Sequence, residues 1–307
     1  MKLMYSMGVL MLFLLSGFTV TWFMFDARSE TSHEPKPSTG LVHVLGDDVG
    51  GKKKRTQQAP SLFRQVAPEH NHMFIAHALG SVDGVAETNS KEAFVETYRN
   101  GFRLFEADMS QTKDGKVAIF HHRARHHIGM SAGIDEVNLG DFLSHKSFEK
   151  FTLLSLEDLL ELMRVYPDMY LITDVKSDIT YAVSQILESD AVKAQPEIVQ
   201  RIIPQIYHPE ELATVLSLYP FSDIIFTLYK TPLTNDEVVL FVSEHPEITA
   251  VTMSAQMRYT DNIYNKLKKL GVQMFVHTIN DEKRIQEFIT KGVGVYTDNT
   301  TEKVLQR

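Results

Sequence analysis

From Met73 to the C-terminus, short apolar runs alternate with segments of helical period, and this alternation restricts the fold more than any other property of the chain. The runs fall at 73–77, 102–108, 116–121, 169–174, 201–206, 223–227, 248–253, 273–277 and 294–297. Helical periodicity occupies the intervals, as at 90–100, 155–166, 208–218, 235–244, 260–270 and 281–290. Strands separated by helices imply a parallel sheet with helices packed outside it. The second and third runs break the pattern. Thr-Lys-Asp-Gly joins them, an Asp-Gly pair is a hairpin signal, and no helix fits between. The run 116–121 is therefore predicted to return antiparallel. Eight strand–helix units remain, which is the count of a (β/α)8 TIM barrel, here carrying an inserted β-hairpin. A doubly wound open sheet is the alternative. It lacks support, because no G-x-G-x-x-G follows the first strand and no G-x-x-x-x-G-K-[ST] occurs.

The N-terminal part has a different character. Leu3 to Phe25 carries no charge over 23 residues, and a membrane-spanning helix needs roughly 20. A secretory signal has a shorter apolar core and a small-x-small cleavage site. No such site is evident before Asp26, and a lipoprotein signal would need a cysteine, of which there is none. The expected organisation is one transmembrane anchor at 1–25, a linker at 26–68 and the barrel at 69–307. A cleaved signal is the alternative. Lys2 favours a cytoplasmic N-terminus, so the expected product is a single-pass membrane protein with an extracytoplasmic barrel. Lys52 to Arg55 read as a solvated charge cluster, with contact to anionic headgroups as the alternative.

The formal net charge of −8 argues against a nucleic-acid partner, which usually leaves a basic footprint. Absence of cysteine excludes zinc–thiolate sites and cysteine nucleophiles. The 13 histidines are many for this length, so local chemistry matters more than net charge.

In a TIM barrel the active site lies at the C-terminal strand ends. Read in order, those ends carry His77; Glu106 and Asp108; Asp174 and Lys176; Gln205 and Tyr207; Thr227 and Tyr229; His277; and Thr297 with Asp298. Glu106 and Asp108 are two apart on a strand, so their side chains share a face. Such a pair repels unless it is protonated or bridged by a cation, and oxygen ligands suit Mg²⁺ or Ca²⁺. Asp174, on the next barrel strand, could be a third ligand. The plain alternative is a set of solvated rim acids. A single histidine after an apolar strand is more often structural, but His77 and His121 facing one cation form an acid–base pair suited to phosphodiester hydrolysis.

The order of these residues resembles the glycerophosphodiester phosphodiesterase family, within the barrel phosphodiesterases that include phosphatidylinositol-specific phospholipase C. The resemblance spans Met73 to Leu305. The family's H-R-G is here His-Ala-Leu-Gly from His77, and its P-E-N-T followed by A-F is here E-T-N-S-K-E-A-F, with Asn89 and Ser90 in register. Its long E-x-D motif matches GFRLFEADMSQTKDG, its V-x-x-H-D matches IFHH with His121, and its E-I-K matches D-V-K. The closing motifs correspond to HTIN and GVGVYTD. The resemblance implies a metal-dependent phosphoric diester hydrolase acting on a glycerophosphodiester or a related phospholipid or polymer headgroup. His77 and His121 would be acid and base; Glu106, Asp108 and Asp174 would bind Mg²⁺ or Ca²⁺; Lys176 would help hold phosphate.

Several positions depart from the family. Ala78 replaces an arginine that contacts phosphate, Thr88 replaces a glutamate, Asp174 replaces a glutamate, His122 an aspartate and His277 a tryptophan. The pattern H-A-x-G with T-N-S resembles a bacterial branch of the family. Gln205, Tyr207, Tyr229 and Lys230 are candidates to replace the missing phosphate contact. Two other functions compete: an inactive barrel that binds a phosphorylated or glycan ligand, and a glycoside hydrolase, which explains the acids but not the histidines.

Overall fold

A computed structural model describes residues 60–64 and 70–306. The expected anchor at 1–25 lies outside the described residues, as does most of the expected linker. No described helix is long and apolar enough to cross a membrane.

Twelve strands occur in the described chain: β1 (Phe74–Ala76), β2 (Leu104–Gln111), β3 (Val117–Ile119), β4 (Lys146–Ser147), β5 (Phe151–Thr152), β6 (Leu154–Ser155), β7 (Tyr170–Val175), β8 (Ile202–Ile206), β9 (Ile224–Thr227), β10 (Ile248–Ser254), β11 (Gln273–His277) and β12 (Gly294–Thr297). Eight of them, β1, β2 and β7 to β12, run parallel in one sheet. That sheet closes on itself because β1 pairs with both β2 and β12. This is the predicted eight-stranded barrel. Helices lie between successive strands, among them α1 (Lys91–Arg99), α2 (Leu139–Leu143), α3 (Leu156–Val165), α4 (Ile179–Glu188), α5 (Asp190–Ala194), α6 (Glu211–Leu218) and α7 (Asn235–Glu244). Ser90 caps α1 by accepting the Ala93 N–H, and reciprocal capping boxes begin α3 (Ser155, Asp158) and α7 (Thr234, Glu237).

The hairpin also forms where predicted. β3 pairs antiparallel with β2, placing Met109 opposite Ile119 and Gln111 opposite Val117. Gly115 turns the chain at φ 69°, and the Thr112 hydroxyl donates to Asp114 at 2.7 Å. A further short strand, β6, adds antiparallel to β3 and extends the sheet beyond the barrel. The return strand continues through Phe120, whose N–H donates to the Asp108 carbonyl at 2.8 Å. His121 is thereby held beside β2.

Side chains alternate along a strand, so one face of each barrel strand points inward. Ile75, Leu104, Ile172, Ile203, Ile225, Ala250 and Phe275 form an apolar layer inside the barrel. Two residues further along the same strands stand His77, Glu106, Asp174, Gln205, Thr227, Thr252 and His277, which line a cleft at the C-terminal end. Outward residues such as Phe105, Met109, Leu171 and Val251 pack against the helices in the larger core cluster.

The opposite end of the barrel is closed by residues from the stretch read as linker. Leu62 and Phe63 are buried with the inner apolar layer, and the Phe63 ring meets Phe275 edge-on at a centroid distance of 5.4 Å. Asp223, buried at the start of β9, accepts from the Leu62 N–H at 2.7 Å, the Ser61 hydroxyl at 2.5 Å and the Thr249 hydroxyl at 2.7 Å. Among the described residues two apolar ones, Leu62 and Phe63, make this plug, and no periodicity marks them in the sequence. Phe63→Ala should lower stability by about 3–5 kcal/mol through lost burial and a residual cavity. Chemical denaturation of the full chain measures this; a change under 1 kcal/mol would mean that the plug does not close the barrel.

Candidate active site

The cleft has a volume of about 290 Å³. Nine of the residues singled out from the sequence line it: His77, Glu106, Asp108, His121, Asp174, Lys176, Gln205, Tyr207 and Tyr229. Lys230 is not among its walls and instead stacks its ammonium 4.6 Å from the centre of the Tyr207 ring.

The acids converge as the strand register requires. Oxygens of Glu106, Asp108 and Asp174 lie within 4.8 Å of one another, and charges at that separation repel by about 3 kcal/mol at an effective dielectric of 20. Glu106 is fully buried: Oε2 accepts the Ala78 N–H at 2.8 Å, and Oε1 has no partner. Asp108 is held by the Asn89 amide at 2.8 Å and by the Lys176 ammonium at 2.8 Å. Lys176 also reaches Asp174 at 2.7 Å, and the Tyr207 hydroxyl donates to the other Asp174 oxygen. One ammonium among three carboxylates leaves excess negative charge. A hard divalent cation fits this set, since each carboxylate oxygen keeps a further lone pair and the orphaned Glu106 oxygen lacks any other ligand.

The electrostatics follow from this crowding. Burial, then the charge of Asp108, raise the Glu106 carboxyl well above its ordinary value. Burial pushes Asp108 the same way, but Lys176 and His121 outweigh it and hold the group ionised. Burial works against the Lys176 charge, yet Asp108 and Asp174 bind its proton more tightly than usual.

The two histidines are oriented differently. His77 Nδ1 lies 2.8 Å from Asp298 Oδ1. The Asn280 amide donates to the other Asp298 oxygen at 2.8 Å. Burial lowers the His77 pKa, but the Asp298 hydrogen bond and the charges of Glu106, Asp298 and Asp108 push it up to about 10. Its Nε2 faces Glu106 at 4.0 Å. His121 Nδ1 lies 3.1 Å from the Arg123 N–H. Burial is the largest influence on His121 and lowers its pKa, against the pull of Asp108. Nearby, burial and the charge of His77 bring His277 down to about 4.

Some sequence-based roles change. The hydroxyl of Tyr207 is committed to Asp174, so it positions an acid and is not free to grip phosphate. Gln205 is buried and its carbonyl accepts from the Tyr296 hydroxyl at 2.9 Å. Tyr229 stands exposed at the rim, its ring 6.4 Å from that of His277. Sequence reasoning missed Arg123 and Glu87, which also line the cleft. Arg123 follows the histidine pair directly; Glu87 sits in a loop with φ 57° and has no strand to place it. Glu87, His77 and Asp298 also offer donors within 4.8 Å of one another. Because His77 and Asp298 already bond each other and Glu87 is exposed, the buried acid triad is the better cation site.

The profile of the glycerophosphoryl diester phosphodiesterase family matches residues 80–302. His77 and Ala78 lie just before that segment, so their place in the site rests on the geometry. A glycerophosphodiester phosphodiesterase of Bacillus altitudinis is 28% identical over 232 residues, covering 68% of this chain and 88% of the relative. Among solved structures, a phosphodiesterase of Oleispira antarctica, in complex with sn-glycerol-3-phosphate, superposes with a TM-score of 0.62 at 19% identity, covering 76% of this chain and 95% of that one. The glycerophosphodiester phosphodiesterase of Thermotoga maritima gives 0.61 at 19% identity, over 76% and 98%.

A raised carboxyl pKa fixes the sign of a pH effect. The cation-free fold binds a proton at Glu106 more tightly than the unfolded chain does. That contribution to stability is complete below the unfolded carboxyl value and is lost as pH rises through the raised folded value. Without divalent cation, Glu106→Gln should therefore remove a loss of stability that wild type shows as pH rises above the ordinary carboxylate range. Adding Mg²⁺ or Ca²⁺ should stabilise wild type and not the variant, as read from thermal midpoints. Equal cation response in both proteins would rule out Glu106 as a ligand.

Proposed function

Because the chain belongs to the glycerophosphoryl diester phosphodiesterase family, we propose that it hydrolyses a phosphodiester, a glycerophosphodiester or a related phospholipid or polymer headgroup, by cation-assisted two-histidine catalysis. The observation that carries this reading is the convergence of three carboxylates and two separately oriented histidines on one cleft. Glu106, Asp108 and Asp174 would hold Mg²⁺ or Ca²⁺, which supplies charge neutralisation and polarisation at the phosphate.

The chain's own groups then divide the proton transfers. His77, whose Nδ1 proton stays in the Asp298 hydrogen bond and whose pKa the surrounding acids push up to about 10, is charged and gives its Nε2 proton to the leaving oxygen. His121, which burial keeps neutral, takes the proton of the attacking oxygen. Lys176, which lines the same cleft, would meet the phosphate with a charge held in place by two aspartates. The attacking oxygen is either water or a neighbouring substrate hydroxyl, which would yield a cyclic phosphate first.

Ala78 is compatible with this role. It is fully buried at φ 48°, ψ 43°, and its N–H is the donor to Glu106. The backbone thus keeps a contact to the acid although the arginine expected there is absent. Arg123, on the same cleft, is the side chain best placed to restore the lost positive charge. The Ala78 variant then belongs to a subtype of the family that takes its phosphate contact from the hairpin side. The uncharged segment 3–25 supports the additional reading that the barrel is held at the extracytoplasmic face of a membrane; membrane fractionation and protease accessibility of the barrel test it.

The full chain should cleave glycerophosphocholine and stop when chelator is added. His77→Ala, His121→Ala and Glu106→Ala should each reduce kcat by about 10²–10⁴-fold. Asp298→Asn should reduce kcat and leave KM nearly unchanged, because it orients His77 without touching substrate. Unchanged rates in the histidine variants would discard the mechanism. Cation binding without turnover on a panel of phosphodiesters would favour the inactive binding barrel.

A further inference from the structure

The segment His121 to Ile128 reads His-His-Arg-Ala-Arg-His-His-Ile and contains no acid. It follows the hairpin return and winds as a 3-10 turn over His122–Ile128, ended by Gly129 in the left-handed region. Ala124 and Ile128 are buried in a cluster with Phe120, Met130, Ile134 and Phe142. Two apolar anchors four residues apart leave His122, Arg123, Arg125 and His126 to face outward. The Met130 N–H donates to the Arg125 carbonyl at 3.1 Å, which fixes the turn further.

These four basic residues line a groove of about 450 Å³, closed on its other side by Gly133, Ile134 and Asp135. Arg123 lines this groove and the catalytic cleft alike, so the two spaces adjoin at its side chain. Among the described residues, neither Arg123 nor Arg125 forms an ion pair, although Asp135 stands on the groove wall. Elsewhere on the surface Arg103 and Arg164 do pair with carboxylates, at 2.6 and 2.8 Å. A chain of net charge −8 has acids to spare for such pairing. Two guanidiniums left open beside a phosphodiester cleft are therefore available to an anion, and arginine's planar fork suits phosphate.

We propose that the cleft continues past Arg123 into a second phosphate-binding subsite formed by Arg125, His122 and His126. The substrate class is then a phosphodiester that carries a further phosphate along its length, such as an oligomer of glycerol phosphate units. This inference rests on reading the cleft as a phosphodiesterase site, in which Arg123 contacts the phosphate being cleaved. Arg125 contacts the next one.

The test compares glycerophosphocholine with a chain of three glycerol phosphate units, using the full-length protein. Wild type should show at least a tenfold higher kcat/KM for the trimer. Arg125→Gln should erase that advantage through KM and leave glycerophosphocholine turnover within twofold. Raised salt should weaken trimer binding more than it weakens glycerophosphocholine turnover. Direct trimer binding by equilibrium dialysis, in wild type, Arg125→Gln and His121→Ala, separates the subsite from catalysis. If trimer binds to wild type and to His121→Ala but not to Arg125→Gln, the subsite stands, whether or not either substrate is turned over. If Arg125→Gln and the doubly substituted Arg125→Gln/His126→Gln bind and cleave trimer like wild type, the proposal is overturned. Equal losses on both substrates would also overturn it, since Arg125 would then support the common site only.

Discussion

Closure of eight parallel strands forces one inward side chain every second residue, and the active centre is a consequence of that register. The inner layer is apolar at Ile75, Leu104, Ile172, Ile203, Ile225, Ala250 and Phe275. One inward step further, the same strands present His77, Glu106, Asp174, Gln205, Thr227, Thr252 and His277. The apolar layer fixes the strands; the polar layer inherits their precision. Shifting any strand by one residue would exchange the polar ring for the outward apolar residues that face the helices. The site and the core therefore depend on one register.

That polar layer is not neutral. Three carboxylates share a buried space with one ammonium, and one Glu106 oxygen is left unpartnered. A group buried for stability alone would be paired or replaced by an apolar one. Here the surrounding chain spends several contacts on keeping the acids in place: Asn89 on Asp108, Tyr207 on Asp174, and the Ala78 N–H on Glu106. Ala78 and Asn89 both have positive φ, and each supplies a donor to an acid, the Ala78 N–H to Glu106 and the Asn89 side-chain amide to Asp108.

The hairpin on β2 has two functions in this arrangement. It brings His121 to the cleft that His77 also lines. It then leads into the basic turn whose Arg123 also lines the cleft. Arg123 lines the open groove beyond the cleft as well.

Much of this was legible in the sequence. Strand and helix alternation, the Asp-Gly turn and the two-residue spacing of Glu106 and Asp108 are local patterns, and local patterns encode local geometry. The order of polar residues at strand ends located the whole rim, because a barrel puts all strand ends on one side. The Phe63 plug, the commitment of the Tyr207 hydroxyl to Asp174, and the pairing of His77 with Asp298 were not legible. Each joins residues far apart in the chain, and no periodicity records which of several neighbours a side chain will meet. The sequence by itself determined the fold class, the residue types that line the cleft and the strands that carry them. The tertiary structure alone decided which groups share protons and charge, and that Arg123 stands between two cavities, because those relations depend on distances set by barrel closure.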